Sequence, residues 1–406
     1  MYYLIGKSLK HSLSEYIHQR LSSITYKCKE LDELDEFFRL KEFKGINVTI
    51  PYKQDVIRYL DYLEPNAAEI GAVNTIVNRE GKLYGYNTDY DGFKALLKRN
   101  NIEVLDKRVL VLGTGGSSKT VHKVMSDLNA KSTSFCSRTK SLGVYTYSEI
   151  EDYDFEIVVN TTPNGMYPNN DAELLFSLDK FKSLEAIVDL VYNPLTTKFL
   201  SSVDDVKKAN GLYMLVYQAY VAHKHFIDKD IDVSIVEDIF NELLNNNVNI
   251  VLIGMPMSGK SSYGKQLSKI LNKELVDIDI EIVDKEKKTI RELFEVSEDH
   301  FRKIETRLTC DYAKKHNQVI STGGGVIKNS KNIEMLKQNG IIIFIDRPLK
   351  DILDTDSEDR PLIKDEQSLI ELYNSRIELY KQYCDIIIRN NINLEVLYEV
   401  INTKWS

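Results

Sequence analysis

The chain has 406 residues, 43% of them hydrophobic and 28% charged, a composition typical of a globular protein with two or three domains. Its net charge of −8 offers no basic surface for nucleic acid, and its longest apolar runs, such as residues 341–345, have the length of a strand and not of a membrane span. The N-terminus lacks a signal-peptide pattern, and four widely spaced cysteines predict buried thiols in a reducing cytoplasm.

The first predicted element is a short strand over residues 2–5, followed by a loop and a helix that begins near Glu15. Ser12 and Ser14 lie where the loop meets the helix. Serine is favoured at helix caps. Its hydroxyl can equally bind a hydroxylated or carboxylated ligand, and the residues alone leave both interpretations open.

Two further predicted strands end in polar residues. Residues 46–50 alternate apolar and polar side chains, Pro51 ends this strand, and Lys53 follows where α/β folds place their chemistry. A lone lysine there is usually a surface charge. The strand over 71–77 contains the polar Asn74, and the turn at 85–89 delivers Asp89 ahead of a predicted helix at 93–97.

Residues 108–119 read as a strand, a glycine turn and the start of a helix. The turn contains Gly113, Gly115 and Gly116, a weak form of the dinucleotide-binding pattern, and the free N–H groups of such a helix start bind pyrophosphate. The next predicted strand, over 132–136, ends in Ser-Arg-Thr (137–139). A carboxylate at that place would favour NAD, whereas Arg and hydroxyl groups suit the 2′-phosphate of NADP.

Two strand-to-loop units follow, at 157–166 and 186–194, and residues 210–219 run into a helix. His223 and His225 in that helix are two residues apart and point to different faces, so we predict no zinc site. A last helix over 234–244 ends at an Asn run, 245–247. Because Asn ends helices and tolerates turns, this run is the predicted domain boundary.

The clearest pattern begins after the apolar run 248–253. Gly254, Gly259, Lys260 and Ser261 complete the phosphate-loop pattern G-x-x-x-x-G-K-S, and a helical pattern follows. Glycines let backbone N–H groups close around a phosphate, Lys260 reaches the β- and γ-phosphates, and the Ser261 hydroxyl can hold Mg²⁺. The predicted cofactor-binding residues here are Gly254, Ser258, Gly259, Lys260, Ser261 and Ser262.

Nine motifs in residues 1–246, taken together and in order, resemble shikimate dehydrogenase. They are Ser12-Leu13-Ser14, Asn47-Val48-Thr49-Ile50-Pro51-Tyr52-Lys53, Gly71-Ala72-Val73-Asn74-Thr75, Asn87-Thr88-Asp89, Gly113-Thr114-Gly115-Gly116, Ser137-Arg138-Thr139, Asn160-Thr161-Thr162, Val191-Tyr192-Asn193-Pro194 and Gly211-Leu212-Tyr213-Met214-Leu215-Val216-Tyr217-Gln218.

The resemblance implies roles for these residues. Lys53 and Asp89 would be the catalytic pair, since reduction of a ring ketone needs a positioned proton donor beside the oxygen. The implied substrate ligands are Ser12, Ser14, Thr49, Asn74 and Gln218. The implied NADP(H) ligands are Gly113, Gly115, Gly116, Ser137, Arg138, Thr139, Tyr192 and Gly211.

A few positions depart from the family pattern. Lys7-Ser8 stands for the usual Asn-Pro, Glu15 for a Pro, and Ser137 for an Asn, while Leu142 occupies the place of a further basic residue. The departures leave the substrate prediction intact and bear on the strictness of the preference for NADP.

Residues 248–406 resemble shikimate kinase. Besides the phosphate loop, the matching motifs are Asp277-Ile278-Asp279, Phe301-Arg302-Lys303-Ile304-Glu305, Thr322-Gly323-Gly324-Gly325-Val326-Ile327, Arg360-Pro361-Leu362-Ile363 and Arg376-Ile377-Glu378-Leu379-Tyr380. Phosphoryl transfer depends mainly on positioning and charge stabilisation, and the resemblance distributes those tasks.

Lys260 and Asp277 would be catalytic, with Asp277 also beside Mg²⁺. Substrate would be held by Asp279, by a backbone N–H of Gly324, and by the guanidinium groups of Arg302 and Arg376 on its carboxylate. Glu305, three residues after Arg302 on a helix, would orient that arginine.

The polar stretch 355–359 lacks apolar anchors and predicts a lid that would bring Arg360 to the transferring phosphate. A basic residue that stacks on adenine in some relatives is missing near Leu353, and Arg389 and Asn390 are the candidate replacements.

The predicted protein is an α/β enzyme with two activities: NADPH-dependent reduction of 3-dehydroshikimate and ATP- and Mg²⁺-dependent phosphorylation of shikimate. The predicted domains are a substrate-binding unit (1–90 and 212–246), a Rossmann-type unit (91–211) and a P-loop unit with a parallel sheet (248–406). Two alternatives stay open: an NAD-dependent quinate/shikimate dehydrogenase fused to another small-molecule kinase, and a protein in which one half is catalytically dead and regulatory. The predicted partners are small molecules, with no nucleic acid and no membrane; an oligomer is possible and not readable from the sequence.

Overall fold

The computed structural model describes residues 1–9, 12–353, 365–389 and 393–405. Three β-sheets, each accompanied by helices, follow one another along the chain. The predicted α/β class with parallel sheets is confirmed. Within the described ranges, every helix is too short or too polar to cross a membrane.

The first sheet has six strands in the order β2-β1-β3-β5-β6-β4. Its elements are β1 (Tyr2–Gly6), α1 (Ser14–Leu21), β2 (Tyr26–Glu30), α2 (Asp35–Leu40), β3 (Gly45–Val48), β4 (Tyr62–Leu63), α3 (Pro65–Ile70), β5 (Thr75–Arg79) and β6 (Lys82–Tyr86). Strands β1, β2 and β3 are parallel, whereas β5 is antiparallel to both of its neighbours. Ile5, Val48 and Ile76 lie in the core of this unit.

The second sheet is parallel, with six strands in the order β12-β11-β10-β7-β8-β9. The elements are α4 (Asp89–Arg99), β7 (Arg108–Leu112), α5 (Gly116–Asp127), β8 (Ser132–Ser137), β9 (Val144–Thr146), β10 (Ile157–Asn160), β11 (Ala186–Asp189), α6 (Lys198–Ser201) and β12 (Lys207–Asn210). The chain runs outward from β7 in one direction and then, from β10, in the other. A crevice forms at such a reversal, beyond the carboxyl ends of the strands, and this is where doubly wound folds bind ligands.

Two helices then return to the first unit, α7 (Leu212–Ile227) and α8 (Ser234–Asn247). Helix α4 packs along α7, and Gly92 allows their close approach because a Cβ there would lie 2.8 Å from the Met214 carbonyl oxygen. Phe93, Leu96 and Leu97 recur at helical spacing on α4 and are buried.

The third sheet has five parallel strands in the order β14-β15-β13-β16-β17. The elements are β13 (Asn249–Ile253), α9 (Lys260–Leu271), β14 (Glu274–Asp277), α10 (Ile278–Glu286), α11 (Ile290–Val296), α12 (Glu298–Ala313), β15 (Gln318–Ser321), α13 (Ser330–Asn339), β16 (Gly340–Ile345), α14 (Leu349–Leu353), α15 (Glu366–Tyr383), β17 (Ile386–Ile388) and α16 (Leu394–Trp405). Strands β13 and β16 are buried along their whole length, which explains their unbroken apolar sequence.

The predicted helix over 234–244 does not end before the Asn run at 245–247. The run forms the last turn of α8, since the side-chain amides of Asn245 and Asn247 donate to the carbonyl oxygens four residues earlier. Val248 alone separates this helix from β13. The Lys273 ammonium donates to the carbonyl oxygens of Asn245 and Val248, at 2.6 and 2.9 Å. These two hydrogen bonds stabilise the junction between α8 and β13.

The predicted strands at 46–50 and 71–77 are also shorter or displaced. Strand β3 ends at Val48, which faces Ile5 of its parallel neighbour β1. Strand β5 begins only at Thr75, so Asn74 lies in the loop before it. Both changes move Thr49 and Asn74 from strands into the loops beyond the strand ends.

Two candidate active sites

A half-buried ion pair lies beyond the carboxyl end of β3. The Lys53 ammonium donates to Asp89 Oδ2 at 2.6 Å, and the two side chains are only 16% and 10% exposed. Lys53 lies in the loop after β3, and Asp89 is the first residue of α4. The positive end of the helix dipole favours a carboxylate at that position. The pair therefore combines a proton donor with a fixed negative partner.

An amide network borders the ion pair. Asn74 Nδ2 donates to Thr88 Oγ1 at 3.1 Å and to Gln218 Oε1 at 3.3 Å, while the Thr88 backbone N–H donates to Asn74 Oδ1 at 2.8 Å. Because Thr88 directly precedes Asp89, this network fixes the start of α4. Gln218 comes from α7, more than a hundred residues away in sequence, and the structure brings it to Asn74 as the sequence predicts.

The glycine turn after β7 faces the same ion pair. A Cβ on Gly116 would lie 3.8 Å from Lys53 Cδ, so the first turn of α5 is in contact with the lysine side chain. Gly113 has φ of +107°, where a side chain would be strained and would meet Thr161. Gly115 caps α5 and leaves its first N–H groups open to an anion.

Three predicted substrate hydroxyls lie past the ends of β1 and β3. Thr49 packs its methyl group against Gly6, and the Ser14 backbone N–H donates to Ser12 Oγ at 3.2 Å. Ser12 therefore does stabilise the start of α1, which is the structural role that the sequence left open. Among the described residues, no direct hydrogen bond joins these three hydroxyls to the Asn74 network.

The predicted 2′-phosphate site follows β8. Ser137 Oγ donates to the Thr139 carbonyl oxygen at 2.6 Å, which shapes the loop around the exposed Arg138. Lys140 pairs with Glu149 at 2.7 Å, and Leu142 is fully exposed. Arg138 is thus the cation that the loop presents to solvent at this strand end.

The segment before Tyr192 contacts Gly211 at the carboxyl ends of β11 and β12. The Gly211 N–H donates to the Val191 carbonyl oxygen at 3.2 Å, and a Cβ on Gly211 would lie 2.1 Å from the Leu190 carbonyl oxygen. Only glycine permits this approach. Burial raises the pKa of Tyr192, which keeps its hydroxyl neutral.

The phosphate loop of the third sheet has the geometry that its sequence predicts. Gly254 and Gly259 have φ of +150° and +93°, and Gly259 directly precedes α9. Lys260 Nζ lies over the loop and donates to the carbonyl oxygens of Gly254 and Met255, at 3.1 and 2.7 Å. The buried Ser258 hydroxyl has no hydrogen-bond partner within the described protein, and Ser262 lies in the first turn of α9.

The two predicted metal ligands, Ser261 and Asp277, lie beside this loop and contact each other. Ser261 Oγ donates to Asp277 Oδ2 at 2.8 Å, and the other Asp277 oxygen accepts the Asp279 N–H at the start of α10. Among the described residues, no group of three or more His, Cys, Asp or Glu side chains could enclose a metal ion. One hydroxyl and one carboxylate suit Mg²⁺, which usually takes few protein ligands alongside phosphate oxygens and water.

The predicted carboxylate clamp surrounds the glycine run 323–325. Arg302 Nη1 donates to Glu305 Oε2 at 2.7 Å, and the same nitrogen would lie 2.2 Å from a Cβ on Gly325. Arg376 Nη1 donates to the Gly324 carbonyl oxygen at 3.0 Å. Burial raises the pKa of the Glu305 carboxyl, and the adjacent Arg302 opposes that rise. The two guanidinium groups therefore converge on one short segment.

This clamp adjoins the phosphate loop. A Cβ on Gly323 would lie 2.9 Å from Asp279 Oδ1, and one on Gly324 would lie 2.8 Å from Pro256 in the loop. Asp279 and the two arginines thus surround the glycine run 323–325, which itself lies against Pro256 of the phosphate loop.

The sequence does not single out two further contacts. Arg347 Nη1 donates to the Met257 carbonyl oxygen of the phosphate loop at 2.6 Å, and Tyr380 Oη donates to the Gly324 carbonyl oxygen at 2.5 Å. Burial raises the pKa of Tyr380 to about 12. Arg347 stands two residues past the end of β16, a position that could have indicated it. Arg389 is exposed and pairs with Asp346 at 3.1 Å. Arg360, Asn390 and the predicted lid lie outside the described residues.

Comparison with known proteins supplies the family. A shikimate dehydrogenase (NADP(+)) from Clostridium perfringens strain 13 is 38% identical over 267 residues, which cover 59% of this chain and 97% of the relative. The chain belongs to the shikimate dehydrogenase family. The family model of the shikimate dehydrogenase substrate binding domain matches residues 4–76, and that of shikimate kinase matches residues 256–404.

Solved structures agree with this assignment for the dehydrogenase part. Shikimate dehydrogenase 1 from Peptoclostridium difficile is 39% identical with a TM-score of 0.55, and covers 60% of this chain and 97% of its own. A chorismate mutase/shikimate 5-dehydrogenase fusion protein from Clostridium acetobutylicum is 35% identical with a TM-score of 0.56, and covers 60% of this chain and 96% of its own.

These matches confirm several sequence predictions. The chain is a shikimate dehydrogenase relative joined to a shikimate kinase domain, with a Rossmann-type part and a P-loop part. NADP as the reducing cofactor and ATP with Mg²⁺ as the phosphoryl donor agree with the two matched families. The roles of single residues and the domain limits remain predictions.

Proposed function

We propose that this chain catalyses two consecutive reactions, the reduction of 3-dehydroshikimate to shikimate with NADPH and the phosphorylation of shikimate to shikimate 3-phosphate with ATP. One observation carries the proposal: each half has its own nucleotide loop, and the charged groups that the chemistry needs lie directly beside it. Lys53, which pairs with Asp89, lies next to Gly116. Gly324 lies next to Pro256 of the phosphate loop, and Asp279 lies next to Gly323.

In the first reaction NADPH supplies a hydride to the ketone carbon. Lys53 donates a proton to the ketone oxygen, which becomes the hydroxyl, and the proton that Lys53 loses returns from solvent. Asp89 keeps the ammonium aimed at that oxygen. Asn74 and Gln218 bind ring hydroxyls, and the hydroxyls of Ser12, Ser14 and Thr49 bind the substrate carboxylate.

The dinucleotide lies along the carboxyl edge of the second sheet in this proposal. The pyrophosphate binds to the N–H groups at Gly113, Gly115 and Gly116, where the α5 dipole favours an anion. Arg138, with Ser137 and Thr139, holds the 2′-phosphate. Tyr192 and Gly211 line the nicotinamide end.

In the second reaction ATP supplies the phosphoryl group. The bare, buried Ser258 hydroxyl and the open loop glycines fit a phosphate, and the Ser261–Asp277 pair fits Mg²⁺. Lys260 would bind the β- and γ-phosphates, aided by the N–H groups of Gly254, Gly259 and Ser262. We assign Arg360 to the transferring phosphate on the family resemblance alone.

The acceptor is held on the opposite side of the loop. Arg302 and Arg376 clamp the shikimate carboxylate, Asp279 accepts hydrogen bonds from ring hydroxyls, and Gly324 donates its N–H. Asp277 lies beside the attacking hydroxyl and the metal. Because the transition state gains little from covalent chemistry, these fixed charges provide most of the acceleration.

The proposed domains are residues 1–90 with 212–246 for the dehydrogenase substrate, 91–211 for NADP(H), and 248–406 for the kinase. The four cysteines are free thiols, which supports a cytoplasmic location. The proposed partners are the two small ring acids and the two nucleotides.

A single coupled assay tests the proposal. Purified protein is given 3-dehydroshikimate, NADPH and ATP–Mg²⁺, and NADPH oxidation, ADP formation and shikimate 3-phosphate are measured together. For each molecule of shikimate 3-phosphate formed, one NADPH should be oxidised and one ADP released. Parallel assays with quinate and with NAD test the first alternative, since a higher kcat/KM for quinate with NAD would defeat the proposal. Absence of either activity from wild-type protein would favour a dead half.

A further inference from the structure

The loop from Leu190 to Thr197 connects β11 to α6 at the carboxyl edge of the second sheet. It contains Tyr192, which we assign to the nicotinamide end of the cofactor. Two of its backbone N–H groups donate to residues of the kinase part. The Leu195 N–H donates to Asn339 Oδ1, and the Thr196 N–H donates to the Gln338 carbonyl oxygen, both at 2.9 Å.

Side chains complete the contact. The Trp405 indole N–H donates to Thr196 Oγ1 at 2.8 Å. The Gln338 side chain forms a reciprocal pair with Asn170 of the dehydrogenase part, donating to its carbonyl oxygen at 2.9 Å and accepting from its amide at 3.1 Å. Asn170 and Asn339 are fully buried and Gln338 is 3% exposed, so these groups have no water to replace a lost partner.

The dehydrogenase itself holds the two ends of the loop. Asp189 accepts hydrogen bonds from the Val191 N–H at 3.0 Å and from Thr197 Oγ1 at 2.5 Å. Asn210 Nδ2 donates to the Leu195 carbonyl oxygen at 3.0 Å, beside Gly211. Residues 195 and 196, in the second half of the loop, are therefore the part whose N–H groups depend on the kinase.

We propose that Asn339, Gln338 and Trp405 of the kinase part are positioning residues for the NADPH site of the dehydrogenase. By accepting and donating at residues 195 and 196, they fix the path of the loop and, through it, the place of Tyr192 next to the Val191–Gly211 hydrogen bond. The kinase thus completes the cofactor site of its neighbour. This inference rests on the proposed function, because it assigns Tyr192 to NADPH.

Three variants of the full-length protein test the role of these groups. Asn339→Leu keeps the side-chain size and removes the acceptor for the Leu195 N–H. Asn339→Asp keeps an oxygen at the same place, and Trp405→Phe keeps the ring while removing its N–H. The matched control is Lys331→Ala, which removes an exposed ion pair with Asp171 at the same interface. For each protein, KM for NADPH, KM for 3-dehydroshikimate, kinase kcat/KM and hydrogen exchange of the peptide 190–200 are measured.

We expect Asn339→Leu to raise KM for NADPH about tenfold, the effect on an equilibrium of losing one partner in a buried hydrogen bond. Trp405→Phe should raise it less, and Asn339→Asp should restore most of the wild-type value. KM for 3-dehydroshikimate and the kinase kcat/KM should change less than about twofold, as in Lys331→Ala. The amides of 190–200 should exchange faster in Asn339→Leu.

Two results would overturn the inference. One is unchanged exchange in 190–200 in both Asn339→Leu and Trp405→Phe. The other is faster exchange with an unchanged KM for NADPH, since the contact would then only join the domains. If the wild-type protein shows no NADPH-dependent reduction at all, the proposed function fails instead, and the exchange data alone decide whether the kinase holds the loop.

Discussion

Lys53 and Asp89 lie 36 positions apart in the chain and yet form a 2.6 Å ion pair next to the first turn of α5. The lysine comes from a loop after a strand and the aspartate from a helix start, so the pair holds together two elements of the substrate-binding region. The same contact that stabilises this region holds the proposed proton donor beside the glycine turn that precedes α5.

Replacing Lys53 by Met should abolish reduction while leaving phosphorylation intact. The thioether keeps the length and apolar stem of the lysine but cannot donate a proton, so dehydrogenase kcat should fall by a factor of about 10²–10⁴. Separate initial-rate assays of both reactions give the readout. Lys260→Ala is the reciprocal control and should remove kinase activity only. Parallel loss of both activities in either variant would contradict two independent sites.

Replacing Asp277 by Asn should weaken the binding of Mg²⁺ in the kinase reaction. The amide keeps an oxygen near Ser261 but loses the negative charge that favours a divalent cation. The concentration of Mg²⁺ that gives half-maximal kinase rate should rise about tenfold or more, and high Mg²⁺ should restore part of the activity. Asp284→Asn, at an exposed ion pair on α10, is the control. An unchanged Mg²⁺ requirement would remove Asp277 from the metal site.

Replacing Glu305 by Gln should raise KM for shikimate in the kinase reaction. Glu305 aims Arg302 at the proposed carboxylate site, and its loss leaves the guanidinium without its buried partner, so we expect a rise of about tenfold. Burial raises the pKa of Glu305, so this carboxyl takes up a proton at a higher pH than an ordinary glutamate. KM for shikimate in the wild type should therefore rise as the pH falls toward that pKa, and Glu305→Gln should lack this rise. An equally steep pH dependence in the variant would point to another group.

The first unit should lose stability in mild acid because of a buried histidine pair. The Nδ1 atoms of His18 and His223 lie 3.0 Å apart, His223 Nε2 lies 2.7 Å from Ser22 Oγ, and burial lowers the pKa of His223 from 6.5 to about 4. The folded state therefore resists a proton that the unfolded state accepts. Stability should be constant above pH 6.5 and should fall by about 3 kcal/mol as the pH drops to 4, since each pKa unit corresponds to about 1.4 kcal/mol.

Urea unfolding at several pH values, monitored in this unit, measures the effect. His223→Gln should be less stable than the wild type at pH 7.5 and should show a shallower loss between pH 6.5 and 4. The exposed His122→Gln should keep the wild-type slope. A wild-type stability that stays flat down to pH 4 would refute the role of the pair.

Replacing Lys273 by Met should destabilise the junction between the two enzymes. The ammonium donates to two carbonyl oxygens at the end of α8 and to Asn317 Oδ1, and the methionine would leave these buried acceptors unpaired. The expected loss is about 2–4 kcal/mol in the free energy of unfolding, from urea denaturation. Lys269→Met, an exposed change near the end of α9, should cost less than about 0.5 kcal/mol. Equal stability of the two variants would show that the junction does not depend on Lys273.

The sequence predicts those parts of the fold and sites that depend on local patterns. The phosphate loop follows from a strand, two glycines and a helix that are contiguous, and Lys53, Asp89 and Asn74 follow from motifs at the ends of strands. The prediction that the helix ends before the Asn run is wrong. Asparagine commonly ends helices, but here the side-chain amides of Asn245 and Asn247 donate to carbonyl oxygens of α8 and extend the helix.

Some contacts between distant elements were not predicted. Asn339 and Gln338 look like the polar end of an ordinary surface helix, and only the docking of α13 onto the 190–197 loop buries them. The contact of Arg347 was not predicted either, because its partner in the phosphate loop, Met257, lies 90 residues earlier. Such roles depend on how sheets pack against each other, which no local pattern encodes.

A single apolar cluster contains Phe240 and Leu243 of α8 together with Ile250 of β13 and Leu397 and Ile401 of α16. The dehydrogenase and kinase parts are therefore not joined only by a flexible linker; they share one hydrophobic core. Expressing the two parts separately, divided at Val248, would expose on each part the apolar surface that now packs against the other. Both parts would tend to aggregate or to associate with each other, so the two enzymes are not easily separated once they are fused.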